Sequence, residues 1–312
     1  MIFIDCRYGY TLSICNRYIV IISQHNKQFR ILCSFMKLVL QGSVLEPALI
    51  ANLISDINVS HYSQPKQNVW HINGVSTDKY DVVAKFAYDH KVDFAFINNS
   101  QQLSDYKLVA MDMDSTFIQI ECIDEIADYC GVKDQVAAIT AASMRGELDF
   151  NESLLQRVAL LKGLDESALQ TVYDERLKLN PGAEEMLLEL QKANIKTLLV
   201  SGGFTFFTNR LQAKYNLDFT KANELEIIDG KLTGRIVGEI VDADVKAQTL
   251  LNCCNQLGIS LEQTIAIGDG ANDLKMMAVA GLSVAHHAKP KVKKHAKIAF
   301  DYTGMEGVVN LF

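Results

Sequence analysis

Short apolar runs alternate with amphipathic stretches over most of this chain. At 107–113, 196–200, 264–267, 282–285 and 298–300 most of the runs are continuous, as in parallel strands covered on both faces. Helix-length segments separate them. The pattern predicts an α/β fold, a doubly wound parallel sheet over residues 105–312. In the first third, strand-like runs at 29–40, 68–75 and 92–97 flank two helical patterns. Leu49, Leu53 and Ile57 recur every fourth residue, as do Val82 and Phe86. This predicts a separate N-terminal α+β domain over 1–104, of ferredoxin-like type, with the polar stretch 98–102 as a linker. No motif in it carries chemistry, and its role is undefined.

Between the first two C-terminal strands lies more helix than one crossover needs. Ile123, Ile126, Ala127 and Cys130 form one apolar stripe that Gly131 can stop. Further helical patterns follow at 136–143, 152–161 and 167–177, until Pro181-Gly182 breaks them. The excess predicts an inserted helical cap at about 119–180 over the strand edge, able to exclude water and close on a small substrate. A second insertion, 224–241, reads as a β-hairpin turning at Asp229-Gly230.

Composition narrows the partners. A formal net charge of −7 argues against a broad nucleic-acid footprint. The run 18–22 is too short to span a bilayer, and the first residues lack the positive region of a secretory signal, so no membrane is expected. The seven cysteines are scattered, with no CxxC pair. They suit neither a zinc site nor a disulfide framework, and most read as buried thiols in a reducing cytoplasm. The order of the first thirty residues and the oligomeric state, homodimer included, stay open.

Chemistry enters at the end of the first C-terminal strand. Asp112 and Asp114 stand one residue apart, followed by Ser115 and Thr116. Two anions held that close repel by roughly 4 kcal/mol at an effective dielectric near 20. A fold tolerates this when a cation lies between them, and Mg²⁺ is the usual one where phosphate must also bind. An aspartate so placed can attack phosphorus. The turns Ser201-Gly202-Gly203 and Gly268-Asp269-Gly270 fall at the ends of two other strands, the edge where such sheets bind ligands. Ser201 and the Gly202 amide, read as the point where strand turns into helix, suit phosphate oxygens. Lys246, in the first turn of a helix over 244–257, opposes the helix dipole, a conflict that bound phosphate would resolve.

Taken together, these residues resemble the phosphoserine phosphatases of the haloacid dehalogenase (HAD) superfamily, in the bacterial form with an extra N-terminal domain. The resemblance rests on Asp112-Met113-Asp114-Ser115-Thr116, Glu121, Met144-Arg145-Gly146-Glu147-Leu148-Asp149-Phe150 and Arg157. It continues through Ser201-Gly202-Gly203-Phe204, Lys246, Gly268-Asp269-Gly270-Ala271-Asn272-Asp273 and Ala288-Lys289-Pro290, in order over about 200 residues. It implies the following roles. Asp112 is the nucleophile and Asp114 the general acid and base. Mg²⁺ is held by the Asp112 carboxylate, the Asp114 backbone carbonyl and Asp269, with Asp273 supporting from behind. Ser201, Gly202, Lys246 and Asn272 contact phosphate or substrate. Glu121 takes the ammonium of O-phosphoserine and Arg157 its carboxylate, a pairing guanidinium geometry favours. Met144 and Phe150 line the cap wall. The implied reaction is Mg²⁺-dependent hydrolysis of O-phospho-L-serine to L-serine and phosphate, the last step of serine biosynthesis.

Alternatives remain at this point. A related HAD enzyme could hydrolyse another small phosphomonoester, such as phosphothreonine, or transfer the phosphoryl group to another alcohol. A receiver-like signalling module could carry a stable aspartyl phosphate, although a second acid–base group at Asp114 would shorten its life. The N-terminal block could be a small-molecule sensor. The lysines Lys289, Lys291, Lys293, Lys294 and Lys297 read as a solvated helix face, and His286-His287, with no third partner in sequence, is assigned no metal.

Overall fold

The computed structural model describes residues 2–6, 10–15, 18–23, 29–32, 35–42 and 44–312, with side chains from residue 35 onward. The chain divides into two compact units, 1–101 with 310–312, and 102–309.

The first unit begins with β1 (Ile2–Cys6), β2 (Tyr10–Cys15), β3 (Tyr18–Ser23) and β4 (Phe29–Leu32), an antiparallel meander in sequence order. Then come β5 (Phe35–Gln41), α1 (Pro47–Ile57), β6 (Tyr62–Lys66), β7 (Val69–Ser76), α2 (Tyr80–His90) and β8 (Asp93–Ile97). This β-α-β-β-α-β order, with a sheet arranged β6-β7-β5-β8 and all pairs antiparallel, is the ferredoxin-like arrangement. Leu38, Leu40, Trp70 and Ile72 from the sheet pack with Ile50, Leu53, Ile57, Val83 and Ala87 from the helices.

Sequence and structure differ here in three places. The run 29–40 is divided between β4 and β5, and residues 33 and 34 lie outside the described residues. β6 is absent from the apolar pattern because all five residues of Tyr62–Lys66 are exposed on an edge strand, the one place a sheet accepts a residue such as Pro65. In α2 the buried stripe is Val83 and Ala87, one residue round from the expected register, and Val82 is exposed.

The second unit is a seven-stranded sheet ordered β12-β11-β10-β9-β13-β14-β15. At its centre lies β9 (Leu108–Met111), every residue of it buried. The first four of the five α-helices that follow before the next strand are α3 (Cys122–Tyr129), α4 (Lys133–Met144), α5 (Phe150–Ala159) and α6 (Ser167–Glu175). Then come α7 (Ala183–Lys192), β10 (Lys196–Phe204), α8 (Thr205–Tyr215), β11 (Phe219–Ile228) and β12 (Lys231–Val237). The rest is α9 (Ala243–Leu257), β13 (Thr264–Gly268), α10 (Leu274–Val279), β14 (Leu282–His286), α11 (Pro290–His295) and β15 (Ile298–Phe300).

β10 and β13 both pair with β9 in parallel, so the ends of all three reach one edge. Apolar residues of these strands pack under α9 and α10, where Leu108, Ala110, Leu198 and Ala266 meet Leu250, Cys254, Met276 and Met277. Each leucine or methionine among them, fully buried, stabilises by roughly 1.5–3 kcal/mol. That core holds the strand ends fixed while the polar residues just beyond them stay free of packing duties. The expected hairpin is present, turning at Asp229 and Gly230 with positive φ at both. It is not a separate insertion, however: β11 also pairs in parallel with β10, which makes the hairpin the edge of the main sheet.

Candidate active site

Just past β9, Asp112 turns the chain into a tight, irregular helical turn over Met113–Phe117. Ser115 sits at φ 57°, and its amide donates to the Ile120 carbonyl at 3.2 Å. The turn exists because Asp112 caps it: its Oδ1 accepts the Met113 amide at 2.7 Å. The same oxygen meets the Nζ of Lys246 at 2.7 Å. Asp112 Oδ2 is held only by a long contact, 3.4 Å from the Asn272 amide nitrogen. One oxygen is therefore fixed and the other is nearly free.

Lys246 is the fourth residue of α9 and is completely buried. Asp242 caps that helix by accepting the Asp244 and Val245 amides, which sets the rotation that sends Lys246 inward. Its Nζ lies 2.7 Å from Asp112 and 2.8 Å from Asp273. Burial pushes the ammonium down, but these two carboxylates outweigh it and raise it above the ordinary lysine value. Asp273 has both oxygens engaged, Oδ1 with Lys246 and Oδ2 with the Gly270 amide at 3.0 Å. Asp269 accepts the Thr116 hydroxyl at 3.2 Å on one oxygen only.

Asp112, Asp269 and Asp273 each bring a carboxylate oxygen to within 4.8 Å of the other two, and all three residues are buried. Burial and the charge of Asp273 push Asp112 well above the usual carboxylate range. The same two causes raise Asp269 to about 6. One lysine does not balance three carboxylates, so the cluster has the charge and donor set for a divalent cation with oxygen ligands.

Asp114 is half-buried, and its Oδ1 accepts the Cys122 amide at 3.2 Å. Burial first, then the nearby charge of Glu121, raises its carboxyl to about 7. Close by, the Ser201 hydroxyl accepts the Gly203 amide at 2.8 Å. A Cβ on Gly203 would fall 2.6 Å from Asp114 Oδ2, so only glycine lets this strand end approach.

These groups open into one cavity of about 830 Å³. Asp112, Asp114, Ser201, Gly202, Asp269 and Asn272 line it from the strand ends and the turns that follow them. Glu121, Asp124 and Arg157 stand on α3 and α5 and line it too. Met144, Arg145 and Phe150 close a wall, and Lys289 and Lys291 add exposed cations. Glu121 accepts the Ser115 hydroxyl at 2.8 Å. Arg157 donates from Nε to the Ser153 carbonyl at 3.3 Å.

The haloacid dehalogenase-like hydrolase family model matches residues 106–281. The chain belongs to the haloacid dehalogenase-like hydrolases. Within this family it is 55% identical over 215 residues to a phosphoserine phosphatase of Polaromonas sp., covering 67% of this chain and 91% of that protein. A phosphoserine phosphatase of Haemophilus influenzae is 52% identical over 227 residues, 73% of this chain and 72% of that one. The crystal structure of a probable phosphoserine phosphatase from Vibrio cholerae, in unliganded form, superposes with a TM-score of 0.76 at 38% identity. It covers 88% of this chain and 85% of that one.

In this HAD-like hydrolase every expected site residue except Lys246 and Asp273 lines the cavity itself, and those two lie directly behind it in contact with Asp112 and Gly270. Two local readings change, and two residues had no reading. Ser201 and Gly202 belong to the end of β10, not to a helix start: α8 begins only at Thr205, and its N-cap, Phe204, makes no side-chain cap. Lys289 and Lys291 are not merely a solvated face, since they stand at the cavity. Asn223 was not anticipated at all. It is buried in β11, donates to the Gly202 carbonyl and accepts the Val241 amide, both at 2.8 Å, and so ties the end of β10 to the entry of α9. A lone asparagine carries no spacing signal. Asp124 was passed over too, although it follows Glu121 at the three-residue spacing that shares a helix face.

His286 is buried, which pushes its ring down to about 3, and neither it nor His287 lines the cavity. Cys122, Cys253 and Cys254 are buried free thiols and Cys130 is half-buried. The side chains of Cys6, Cys15 and Cys33, and the order of the chain's first residues, lie outside what is described. No helix among the described residues is long and apolar enough to cross a membrane.

Proposed function

We infer that this chain is a phosphoserine phosphatase, a phosphoric monoester hydrolase that converts O-phospho-L-serine to L-serine and phosphate. The observation that carries the reading is one cavity lined by two kinds of group. A nucleophile fixed by a buried lysine and a carboxylate cluster stands in the same cavity as an unpaired guanidinium and a glutamate. Phosphate suits the first pair of features, and an α-amino acid zwitterion suits the second.

The residues supply the chemistry in two steps. Asp112 attacks phosphorus in line through one carboxylate oxygen, and the bond from phosphorus to the serine oxygen breaks. Asp114, with a carboxyl raised to about 7, gives its proton to that oxygen as it leaves. Serine departs, and the phosphoryl group remains on Asp112. Asp114, now a carboxylate, takes a proton from water as the water attacks phosphorus, and the bond to Asp112 breaks. A group titrating near neutrality serves both as acid and as base. Lys246 and the Ser201 hydroxyl offset the charge on the phosphate oxygens. The helices α3–α6 act as a cap that shields the acyl phosphate from bulk water.

The metal reading goes with this. Asp112 and Asp269 each keep an oxygen that carries no close hydrogen bond, whereas both oxygens of Asp273 are engaged. Asp112, Asp269 and the Asp114 carbonyl would hold Mg²⁺, with Asp273 fixing Lys246 and the loop behind it. When bound, the ion would supply positive charge between nucleophile and phosphate. Free thiols and the small polar substrate favour a cytoplasmic enzyme, and a homodimer is compatible with the reading.

The test is phosphate release from O-phospho-L-serine, O-phosphothreonine, O-phosphoethanolamine and glycerol phosphate, with Mg²⁺ titrated from zero. O-phospho-L-serine is expected to have the highest kcat/KM, and activity to be lost in chelator and restored by Mg²⁺. Equal rates on glycerol phosphate would overturn the assignment of substrate, and turnover in chelator would overturn the role of the metal.

A further inference from the structure

The helical insert begins after residues 118–121 and ends before residues 176–182, and these two linkers run side by side. Ile118 and Leu179 form an antiparallel bridge. The Gln119 amide donates to the Lys178 carbonyl at 2.9 Å, and the Asn180 amide to the Phe117 carbonyl at 3.0 Å. Those backbone bonds pair the linkers. The side chain of Asn180 does something else. Its Nδ2 lies 2.6 Å from the Thr116 carbonyl, 3.2 Å from that of Ile118 and 3.4 Å from that of Ser115. A primary amide has two N–H groups, so the three carbonyls share them. One side chain from the return linker thus gathers the turn that follows Asp112.

That turn needs outside support. Asp114 and Ser115 depart from helical geometry within it, and Ser115 at φ 57° holds a conformation that a non-glycine residue keeps only where its surroundings impose it. The nucleophile is anchored separately. Asp112 precedes the turn, its amide donates to the Ile267 carbonyl of β13 at 3.1 Å, and its carboxylate meets Lys246. Asp114 lies inside the turn, where its Oδ1 takes only the 3.2 Å bond from the Cys122 amide. Loosening the turn therefore moves Asp114 more than Asp112. Asn180 is half-buried and does not line the cavity, so it reaches the site through this backbone alone. Nor does its side chain serve the next helix, since α7 has Gly182 as N-cap and no side-chain cap.

We propose that Asn180 is a positioning residue for proton transfer to the leaving group: its side-chain amide fixes the turn Met113–Phe117 so that the Asp114 carboxyl stays aimed at the oxygen that departs. Asn180 touches neither substrate nor metal in this account. The inference rests on the functional reading above, in which Asp114 supplies that proton.

The experiment compares kcat/KM for O-phospho-L-serine with that for acetyl phosphate, in saturating Mg²⁺. The serine oxygen must gain a proton as it leaves, whereas acetate leaves as a stable carboxylate and needs none. Both values report the step that forms the acyl phosphate, so the later attack by water does not enter. The proteins are the full-length chain, Asn180→Ala, Asn180→Asp, Asp114→Asn and the double variant Asp114→Asn with Asn180→Ala. Asn180→Asp keeps the size of the side chain and removes its N–H groups. Thermal unfolding of each variant sets the assay temperature, so that only folded protein is compared. Asp114→Asn is expected to lose most of its rate on O-phospho-L-serine and to keep its rate on acetyl phosphate. Asn180→Ala and Asn180→Asp are each expected to lower the ratio of O-phospho-L-serine to acetyl phosphate by about tenfold, part of the roughly 10²–10⁴-fold that a placed general acid supplies. The loss on O-phospho-L-serine should fall on kcat rather than KM, and the double variant should show no lower ratio than Asp114→Asn alone.

If the Asn180 variants weaken both substrates alike, or lose O-phospho-L-serine through KM alone, Asn180 is a structural support and the proposal falls. An unchanged ratio in both Asn180 variants, with the ratio lost in Asp114→Asn, overturns the proposal and spares the functional reading. A ratio that survives Asp114→Asn overturns both.

Discussion

The carboxylate cluster and the residues on α3 and α5 are built differently. In the cluster, strand termini and a helix deliver Asp112, Lys246, Asp269 and Asp273 into contacts of 2.7–3.2 Å, and every one of these residues is buried. Glu121, Asp124 and Arg157 are carried by α3 and α5 instead; among the described residues Glu121 and Arg157 each make one side-chain hydrogen bond, and Asp124 Oδ1 makes none. The cluster is preorganised for charge that develops during reaction. The other residues leave their hydrogen-bonding capacity for the ligand. The difference teaches that the carboxylate cluster is held by contacts among its own members, whereas the side chains on α3 and α5 keep most of their hydrogen-bonding capacity open.

The comparison breaks most visibly at the nucleophile. Asp112→Asn is expected to lower kcat by about 10⁴-fold or more while leaving thermal unfolding nearly unchanged, since the amide keeps the size of the side chain. Residual turnover near wild type would remove covalent catalysis from this residue. Lys246→Met should lower kcat by about 10³-fold. It should also cost about 3 kcal/mol in urea unfolding, because two buried carboxylates lose their counter-charge. An effect on kcat without one on stability would mean that Lys246 is less tightly coupled to Asp112 and Asp273 than the geometry indicates.

Titration sharpens the same contrast. Asp114 and Asp269 have carboxyls raised from about 3.8 to about 7 and about 6, so the folded protein binds their protons more tightly than the unfolded chain. That stabilisation is complete below about pH 4 and is lost as the pH rises towards about 7. In chelator, the unfolding free energy should fall across this window by on the order of 4 kcal/mol. Saturating Mg²⁺ should flatten the fall, since a cation replaces the protons. A flat profile in chelator would contradict the electrostatics assigned to these carboxyls.

Effects away from the cluster are smaller. Arg157→Ala should raise KM for O-phospho-L-serine by about 30-fold, the loss of a charge-assisted pair, with less change in kcat. Converting Lys289 and Lys291 together to glutamine should lower kcat/KM by about threefold at low ionic strength and hardly at all at high salt, as expected for steering by exposed charges. A salt-independent loss would place those lysines in direct contact with substrate instead.

Much of the candidate active site could be read in the chain because its residues are tied to strand ends. A buried parallel strand writes a continuous apolar run, and the polar residue after it must lie on the sheet edge. β9, β10 and β13 all announce Asp112, Ser201 and Asp269 in this way. What the pattern missed had no such signature. β6 is polar because it lies on an edge, and β11 serves two partners, which alternation alone does not reveal. Asn223 acts through two contacts that only tertiary placement creates. In α2 the expected Phe86 does pack half-buried against the core, and only Val82 gives way to Val83 and Ala87, which face it squarely.

The central claim is that Asp112 carries the phosphoryl group from an amino acid to water. The most direct measurement is an acid quench of the full-length enzyme during turnover of radiolabelled O-phospho-L-serine, followed by peptide mapping. The account predicts label on the peptide containing Asp112, released by hydroxylamine as an acyl phosphate should be, and absent from Asp112→Asn. Label on any other residue, or rapid turnover by Asp112→Asn, would contradict it.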